Sequence, residues 1–170
     1  MMSSASRVIA LVVIGACQSA IAASQPAVQP QREPVPIAHF RDGRSAFTSY
    51  SGLADSLRTV VRDSTAWREL WQQINRPFFP QPTLPSVDFE REMVVVAALG
   101  ARPNAGFDVM IEGAEEDSAG IEVNVRRSSP AAGCPVAAAV SQPVDLARMR
   151  ASRRALRFRE RSIVIPCTAP

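Results

Sequence analysis

The sequence predicts an α+β domain in which one α-helix packs on an antiparallel β-sheet of about five to seven strands. Residues 93–99 form an unbroken apolar run rich in valine, which is typical of a strand buried on both faces. In residues 107–111 every second side chain is strongly apolar, the period of a strand with one exposed face. Residues 64–74 follow the helical period instead. These patterns leave open whether the sheet curls toward a barrel or a sandwich.

The strand candidates begin before the helix. Residues 45–50 have the character of a short edge strand, and residues 57–61 carry the β-branched side chains of a better one. Further along, the glycine, proline and asparagine of residues 100–106 have the turn chemistry to join 93–99 to 107–111. We therefore expect a central hairpin with a stiff loop at its tip.

The helix is expected to begin after Asp63 or Ser64, whose side-chain oxygens can accept hydrogen bonds from free backbone N–H groups. It ends before Pro77, which cannot continue a helix. Its core-facing stripe, at positions i, i+3, i+4 and i+7, consists of Trp67, Leu70, Trp71 and Ile74.

A proline-rich segment, residues 75–86, separates the helix from the central strand and carries Phe78 and Phe79. We predict that the two rings plug the base of the helix. The alternative is that they form an exposed anchor for a partner.

Two more strands are expected after the hairpin. Residues 112–120 are interpreted as an acidic turn, and residues 121–125 alternate as a third strand in meander order. The last strand lies within residues 155–165, and one of its faces is cationic, with Arg157, Arg159 and Arg161. Two interpretations of that face stay open: a partner that carries carboxylates or phosphates, or charge that protects a sheet edge from aggregation.

Residues 1–22 have the anatomy of a secretory signal: an early arginine, a short apolar run and small residues. Cleavage after Ala22 would release a periplasmic or secreted bacterial protein. Alternatively, the residues before Cys17 form a lipobox, and Cys17 would then be lipidated as in an outer-membrane lipoprotein. We therefore expect export, with membrane attachment only through a lipid anchor.

Composition divides the rest of the chain into two parts. Residues 23–44, rich in proline, glutamine and alanine, are predicted to be a disordered tether, and residues 45–170 to be one domain. In an oxidising compartment Cys134 and Cys167 are expected to form a disulfide. Closing that loop would stabilise the fold by about 3–4 kcal/mol in the chain-entropy model.

The residue inventory argues against several function classes. The formal net charge of +3 is too small to indicate a nucleic-acid partner. The single histidine, His39, lies in the tether, so no base is at hand for a serine or cysteine nucleophile. Metal-ligand spacings, phosphate-binding loops and dinucleotide fingerprints are absent from the sequence. We therefore predict a protein without catalysis, metal or cofactor.

A set of motifs resembles the C-terminal domain of the PrcB family of protease complex subunits, and the resemblance covers roughly residues 57–158, with one motif just before that stretch. The set comprises Ser51-Gly52, the helix motif Ser64, Trp67, Leu70 and Trp71, the approach Val87-Asp88-Phe89, the strand 93–96 and the loop Leu99-Gly-x-Arg-Pro-x-x-Gly-Phe107. The family favours Gly-Gly-Tyr at the end of the loop, where this chain has Ala105, Gly106 and Phe107. The resemblance implies an exported binding module without catalysis that assembles or stabilises a secreted or surface protease.

The predicted contact site for such a partner is the loop at the hairpin tip, with a guanidinium as donor to a carboxylate. It consists of Gly100, Arg102, Pro103, Asn104, Gly106 and Phe107. The competing hypothesis is that these residues only build a tight turn, with Arg102 folded back on Asp108. Two other functions stay open: a protease inhibitor that acts through this loop, and an envelope- or small-ligand-binding module that uses the arginine-rich strand.

Overall fold

The computed structural model describes residues 32–40 and 47–167. The predicted signal peptide, Cys17 and residues 23–31 and 41–44 of the tether lie outside the described residues. In the described part of the chain, no helix has the length and apolar content needed to cross a bilayer.

The described residues contain nine strands and one helix. In chain order they are β1 (Glu33–Val35), β2 (Ile37–His39), β3 (Phe47–Thr48), β4 (Leu57–Val61), α1 (Ser64–Ile74), β5 (Glu92–Ala98), β6 (Asp108–Asp117), β7 (Gly120–Pro130), β8 (Val144–Arg150) and β9 (Leu156–Ile165).

The strands form two stacked sheets, which confirms the α+β class. Sheet A has the order β1-β6-β7-β9, and sheet B has the order β2-β8-β5-β4, with β3 also paired to β8. Every pairing is antiparallel except that of β7 with β9, which is parallel. Of the two ways in which the sheet was expected to curl, the molecule has the sandwich.

Strand β5 is the centre of the fold because it contributes to two cores. Met93, Val95 and Ala97 pack between the sheets, whereas Val94 and Val96 face the helix side. All five side chains are at most 1% exposed. The unbroken apolar run is therefore a strand buried on both faces, as the sequence predicts.

The predicted hairpin of β5 and β6 is wrong. Both edges of β5 are already paired, one to β4 and the other to β8, so β5 has no free edge for β6. Residues 99–107 instead cross from sheet B to sheet A. The hairpin lies one connection later, between β6 and β7.

The acidic segment after residue 111 is strand rather than turn for most of its length. Strand β6 continues to Asp117, across a register shift between Ile111 and Gly113, and β7 begins at Gly120. The acidic side chains are held in strand conformation by pairing with β7, which the local composition does not indicate.

The predicted tether contains two strands. β1 pairs with β6 and β2 pairs with β8, so residues 33–39, here called the strap, connect the two sheets. Val35 lies in the inter-sheet core and is 5% exposed. Residues 33–39 therefore pack with the two sheets, although the sequence analysis assigned them to the tether. Strands of three residues carry too little pattern to be recognised without their partners.

Helix α1 packs on the outer side of sheet B through the predicted stripe, whose four residues are all buried. Asp63 is the N-cap, with its carboxylate accepting from the N–H groups of Thr65 and Ala66. The indole N–H groups of Trp67 and Trp71 donate to carbonyls in the proline-rich segment, at Pro85 and Pro82. This segment therefore wraps the helix.

The prediction that both phenylalanines plug the helix base is wrong for Phe79, whose surface is 100% exposed. Phe78 is half-buried and meets the ring of Tyr50 edge-on, with 6.3 Å between ring centroids. Leu84, Val87 and Phe89 pack against the helix core instead, and the Phe79 ring is left in solvent.

The disulfide between Cys134 and Cys167 is confirmed, with the two Cα atoms 5.2 Å apart. It ties the connection between β7 and β8 to the residues that follow β9.

Candidate partner-binding surface

The loop of residues 99–107 leaves β5 through a position that only glycine accommodates. Gly100 has φ +74°, and a Cβ atom there would lie 2.7 Å from the carbonyl oxygen of Ala54 and from backbone atoms of Asp55 and Ser56. The neighbouring N–H of Ala101 donates to that same Ala54 oxygen over 2.8 Å. The start of the loop is therefore clamped against the segment before β4.

The middle of the loop is clamped from the other side, by residues 137–141. Arg102 and Ser141 exchange backbone hydrogen bonds of 2.8 and 3.1 Å. The Ser141 hydroxyl donates to the carbonyl oxygen of Asn104, and the N–H of Ala105 donates to that of Ala137. Four hydrogen bonds thus tie the middle of the loop to residues 137–141.

Arg102 is turned inward. Its Nη2 donates to the carbonyl oxygen of Leu99 over 2.7 Å, and its guanidinium carbon lies 5.9 Å from the centroid of the Phe107 ring. Asp108, the predicted fold-back partner, instead lies 3.8 Å from Arg126. Arg102 therefore shapes the loop from within.

Exposure divides the six predicted contact residues. Pro103 and Gly106 are exposed, Arg102, Asn104 and Phe107 are half-buried, and Gly100 is buried. Phe107 packs on the inter-sheet core. The exposed part of the loop is therefore small and lies around Pro103, while Phe107 at the end of the loop packs on the core.

A cleft separates the loop from the ends of β7 and β9. Its volume is about 140 Å³, and its walls include Leu99, Phe107 and Ile163 together with the hydroxyl-bearing Ser128 and Ser162. The structure therefore brings the loop next to the far end of β9, which the sequence does not predict.

Sequence reasoning missed the exposed apolar side chains around the loop. Val140 precedes the Ser141 anchor, Ile165 shares a second cavity with Gly106, and Val164 lies between Ile163 and Ile165. All three are exposed. The sequence does show an apolar run, residues 163–165, just after the arginines. That this run lies on an exposed sheet edge depends on the order of the strands, which the sequence does not show.

The arginines of β9 face a row of carboxylates on sheet A. Arg157 contacts Asp117 at 3.0 Å and Glu122 at 3.1 Å, and Arg159 lies 3.5 Å from Glu122. Arg161 donates from Nε to Glu112 over 2.7 Å. The predicted cationic strand is therefore one side of an ion-pair network.

The network changes the proton affinity of its acids. The hydrogen bond from Arg157 holds the pKa of Glu122 below its usual value, and the bond from Arg161 does the same for the pKa of Glu112. These carboxylates are stabilised in their charged form. Arg157, Arg159 and Arg161 thus each pair with a carboxylate of the domain itself, while their side chains remain partly exposed.

Residues 93–150 match the model of a family described as PrcB C-terminal, which confirms the resemblance drawn from the sequence. The matched stretch runs from β5 to the end of β8, so it includes the loop and its anchors at residues 137–141. Searches among curated proteins and among solved structures found no match.

Proposed function

We propose, starting from a domain whose residues 93–150 match the PrcB C-terminal family, that this protein is a non-catalytic, exported binding domain. Its partner is a secreted or surface protease, which it helps to assemble or stabilise. The observation that carries the proposal is the anchored loop of residues 99–107, which lies within the matched stretch and presents Pro103 at its tip.

The anchoring of the loop suits a binding role. A loop that must be ordered when a partner arrives loses conformational entropy, and this cost is subtracted from the affinity. Here the bonds to Ala54, Ala137 and Ser141 order the loop in advance. The exposed atoms of Pro103 and Gly106 are thus offered on a rigid base.

The environment of the histidine supports a role without catalysis. His39 Nδ1 lies 3.1 Å from Asp145, whose carboxylate also accepts the N–H groups of Ile111 and Leu146. These contacts connect β2, β8 and β6. Both oxygens of the Asp145 carboxylate are engaged in them. The pair therefore serves as a connector between strands.

The disulfide supports export. Disulfides persist in the periplasm and outside the cell, and they are rare in the cytosol of mesophilic bacteria. The Cys134–Cys167 bridge is therefore expected in a protein that leaves the cytosol, either free or as a lipoprotein anchored at Cys17.

Co-purification tests the proposal. The tagged protein is purified from its native envelope, and the bound fraction is assayed for a protease. Pro103→Asp, at the exposed tip, is expected to abolish recovery of the protease, whereas Gln72→Asp, on the exposed face of α1, is expected to retain it. Absence of any protease, or equal recovery with both variants, would overturn the proposal.

The anchored loop also fits the second function, that of a protease inhibitor. Mixing the pure protein with the captured protease separates the two, because an accessory factor lengthens the half-life of the enzyme and an inhibitor lowers its turnover. The third function, an envelope-binding module, is less favoured, because Arg157, Arg159 and Arg161 already pair with carboxylates of sheet A, although their side chains remain partly exposed.

A further inference from the structure

We propose that the free edge of β9, at residues 162–165, receives an extended segment of the partner as an additional strand of sheet A. This inference rests on the proposed function and names the way in which the partner binds. It concerns a surface beside the loop rather than the loop itself.

Strand β9 is paired on one side. Over its ten residues it pairs in parallel with β7, and in the described part of the chain no strand lies along its other edge. The carbonyl oxygens of Ala155 and Ile165 accept from Ile121 and Ala131, on the β7 side. Since the direction of N–H and C=O groups alternates along a strand, Ser162 and Val164 direct theirs toward the free edge.

The protection of this edge stops halfway. In the first half Arg157, Arg159 and Arg161 supply charge, and Arg58 Nε lies 2.7 Å from Glu160 across the opening between the sheets. From Ser162 to Ile165 no side chain is charged, and Val164 and Ile165 are 64% and 43% exposed. An unguarded apolar edge is a template for strand pairing, which natural sheets normally block.

The unguarded half of the edge is continuous with the loop. Ser162 and Ile163 line the 140 Å³ cleft together with Arg102 and Phe107. A strand added along residues 162–165 would therefore lie beside the loop and contact both surfaces at once. Such strand addition combines main-chain hydrogen bonds with pockets for alternate side chains.

The side chains of β9 select the chemistry of the added strand. Directly opposed residues on neighbouring strands lie on the same face and interact. β-Branched apolar residues are favoured opposite Val164, and acidic residues are favoured where the segment continues past residues 162–165 toward Arg159 and Arg161, whose side chains are 67% and 60% exposed. The partner segment is thus acidic in one half and apolar in the other.

A second copy of the chain fits less well. If β9 of one copy paired antiparallel with β9 of a second copy over most of its length, side chains on the outer face of one strand would lie opposite side chains on the outer face of the other. Arginines of one copy would then face arginines of the other, for example Arg159 opposite Arg161 when the pairing is centred on Glu160. Like charges directly opposed destabilise a sheet.

The test uses an eight-residue synthetic peptide, with glutamate at alternate positions in one half and valine and threonine in the other. Its binding to the purified protein is measured by fluorescence anisotropy. Val164→Pro removes the N–H group that points to the free edge of β9, at an edge position where proline is tolerated. This variant is expected to raise the dissociation constant of the peptide about tenfold. Val164→Thr, which keeps the N–H and the β-branched shape, is expected to bind within about threefold of wild type.

A second arm does not depend on the fold of any variant. N-methylation of alternate peptide amides removes the main-chain donors and is expected to abolish binding, and replacement of glutamate by lysine is expected to weaken it. Unchanged affinity in the N-methylated peptide would overturn the inference. Dimerisation of the pure protein that Val164→Pro abolishes would also overturn it, because the edge would then be occupied by a second copy.

Protease recovery and peptide binding together distinguish a failure of this inference from a failure of the proposed function. If Pro103→Asp abolishes protease recovery and Val164→Pro leaves it unchanged, the loop binds the protease and the edge does not. If the peptide binds at β9 and no protease is recovered, strand addition stands and the protease assignment fails.

Discussion

At Gly100 the absence of a side chain sets the course of the chain. The residue combines a positive φ with close approach to three backbone atoms of residues 54–56. Gly113, in contrast, lies at the register shift of β6, and a Cβ atom there would have no neighbour within 4 Å. The two positions form a matched pair in which the same substitution meets different surroundings.

We expect Gly100→Ala to lower the free energy of unfolding by about 2 kcal/mol or more, because the residue is strained and the Cβ atom forces the backbone apart. Gly113→Ala is expected to change it by less than about 1 kcal/mol. Urea unfolding followed by circular dichroism measures both. Equal losses in the two variants would show that space and conformation at Gly100 are unimportant.

The role of Asp145 follows from the groups that surround its side chain in the fold. Its side chain is fully buried, and burial raises the pKa of the carboxyl group, against the hydrogen bonds from Ile111 and His39, which lower it. In the sequence it is an acid between Val144 and Leu146. Its function as an acceptor for three strands depends on groups 34 and 106 residues away along the chain.

At the scale of the elements, ion pairs connect the strands on the outer face of sheet A. Arg161 and Arg126 both contact Glu112, so the end strand β9 and the inner strand β7 are joined through one carboxylate of β6. The lowered pKa of Glu112 arises first from its bond with Arg161. An acid with a lowered pKa in the folded state stabilises the fold above its ordinary value of 4.5 and loses this contribution as the pH falls.

We therefore expect Arg161→Gln to lower the melting temperature at pH 7, with the difference from wild type shrinking as the pH falls below 4.5 and Glu112 becomes protonated. Melting curves between pH 7 and pH 3 measure this. Arg68→Gln, on the exposed face of α1, removes the same charge and is the control, with no pH-dependent gap expected. A gap for Arg161→Gln that stays constant with pH would contradict the role of the pair.

Helix α1 illustrates how well a single element can be predicted. The stripe of Trp67, Leu70, Trp71 and Ile74 is buried as expected, since helical periodicity is visible in consecutive residues. The structure also decides between the two candidate caps, in favour of Asp63. That choice depends on the backbone angles at one residue, which the composition around it does not determine.

At the scale of the molecule, two devices close the sandwich. The strap of residues 33–39 joins the sheets at one side. The disulfide ties the β7–β8 connection to the chain beyond β9 at the loop end, and it closes a sequence separation of 33. It therefore borders both surfaces that we assign to partner binding.

Replacement of both cysteines, Cys134→Ser with Cys167→Ser, is expected to lower the free energy of unfolding by about 3–4 kcal/mol, because the unfolded chain regains the entropy of an open loop. Urea unfolding with and without a reducing agent measures the effect. Reductant should destabilise the wild type and leave the double variant unchanged. Unaltered stability of the wild type in reductant would contradict the prediction.

The candidate site was predictable in part. The turn-forming residues between two strands identified the loop, and the family resemblance directed attention to the same stretch. The inward turn of Arg102 and the exposed edge at Val164 were not predictable, because each depends on residues that are distant in the chain. The same holds for Arg157, Arg159 and Arg161, whose cationic pattern is local whereas their carboxylate partners lie on other strands.

The sequence by itself determined the helix with its buried stripe, the apolar strand that is buried on both faces, and the cysteine pair. These properties follow from the spacing of apolar side chains and from the chemistry of neighbouring residues. The tertiary structure alone decided which strands pair, that β5 and β6 lie in different sheets and that residues 33–39 join the domain. Backbone hydrogen-bonding groups are the same in every strand, so pairing is decided by which edges remain free once the cores are packed.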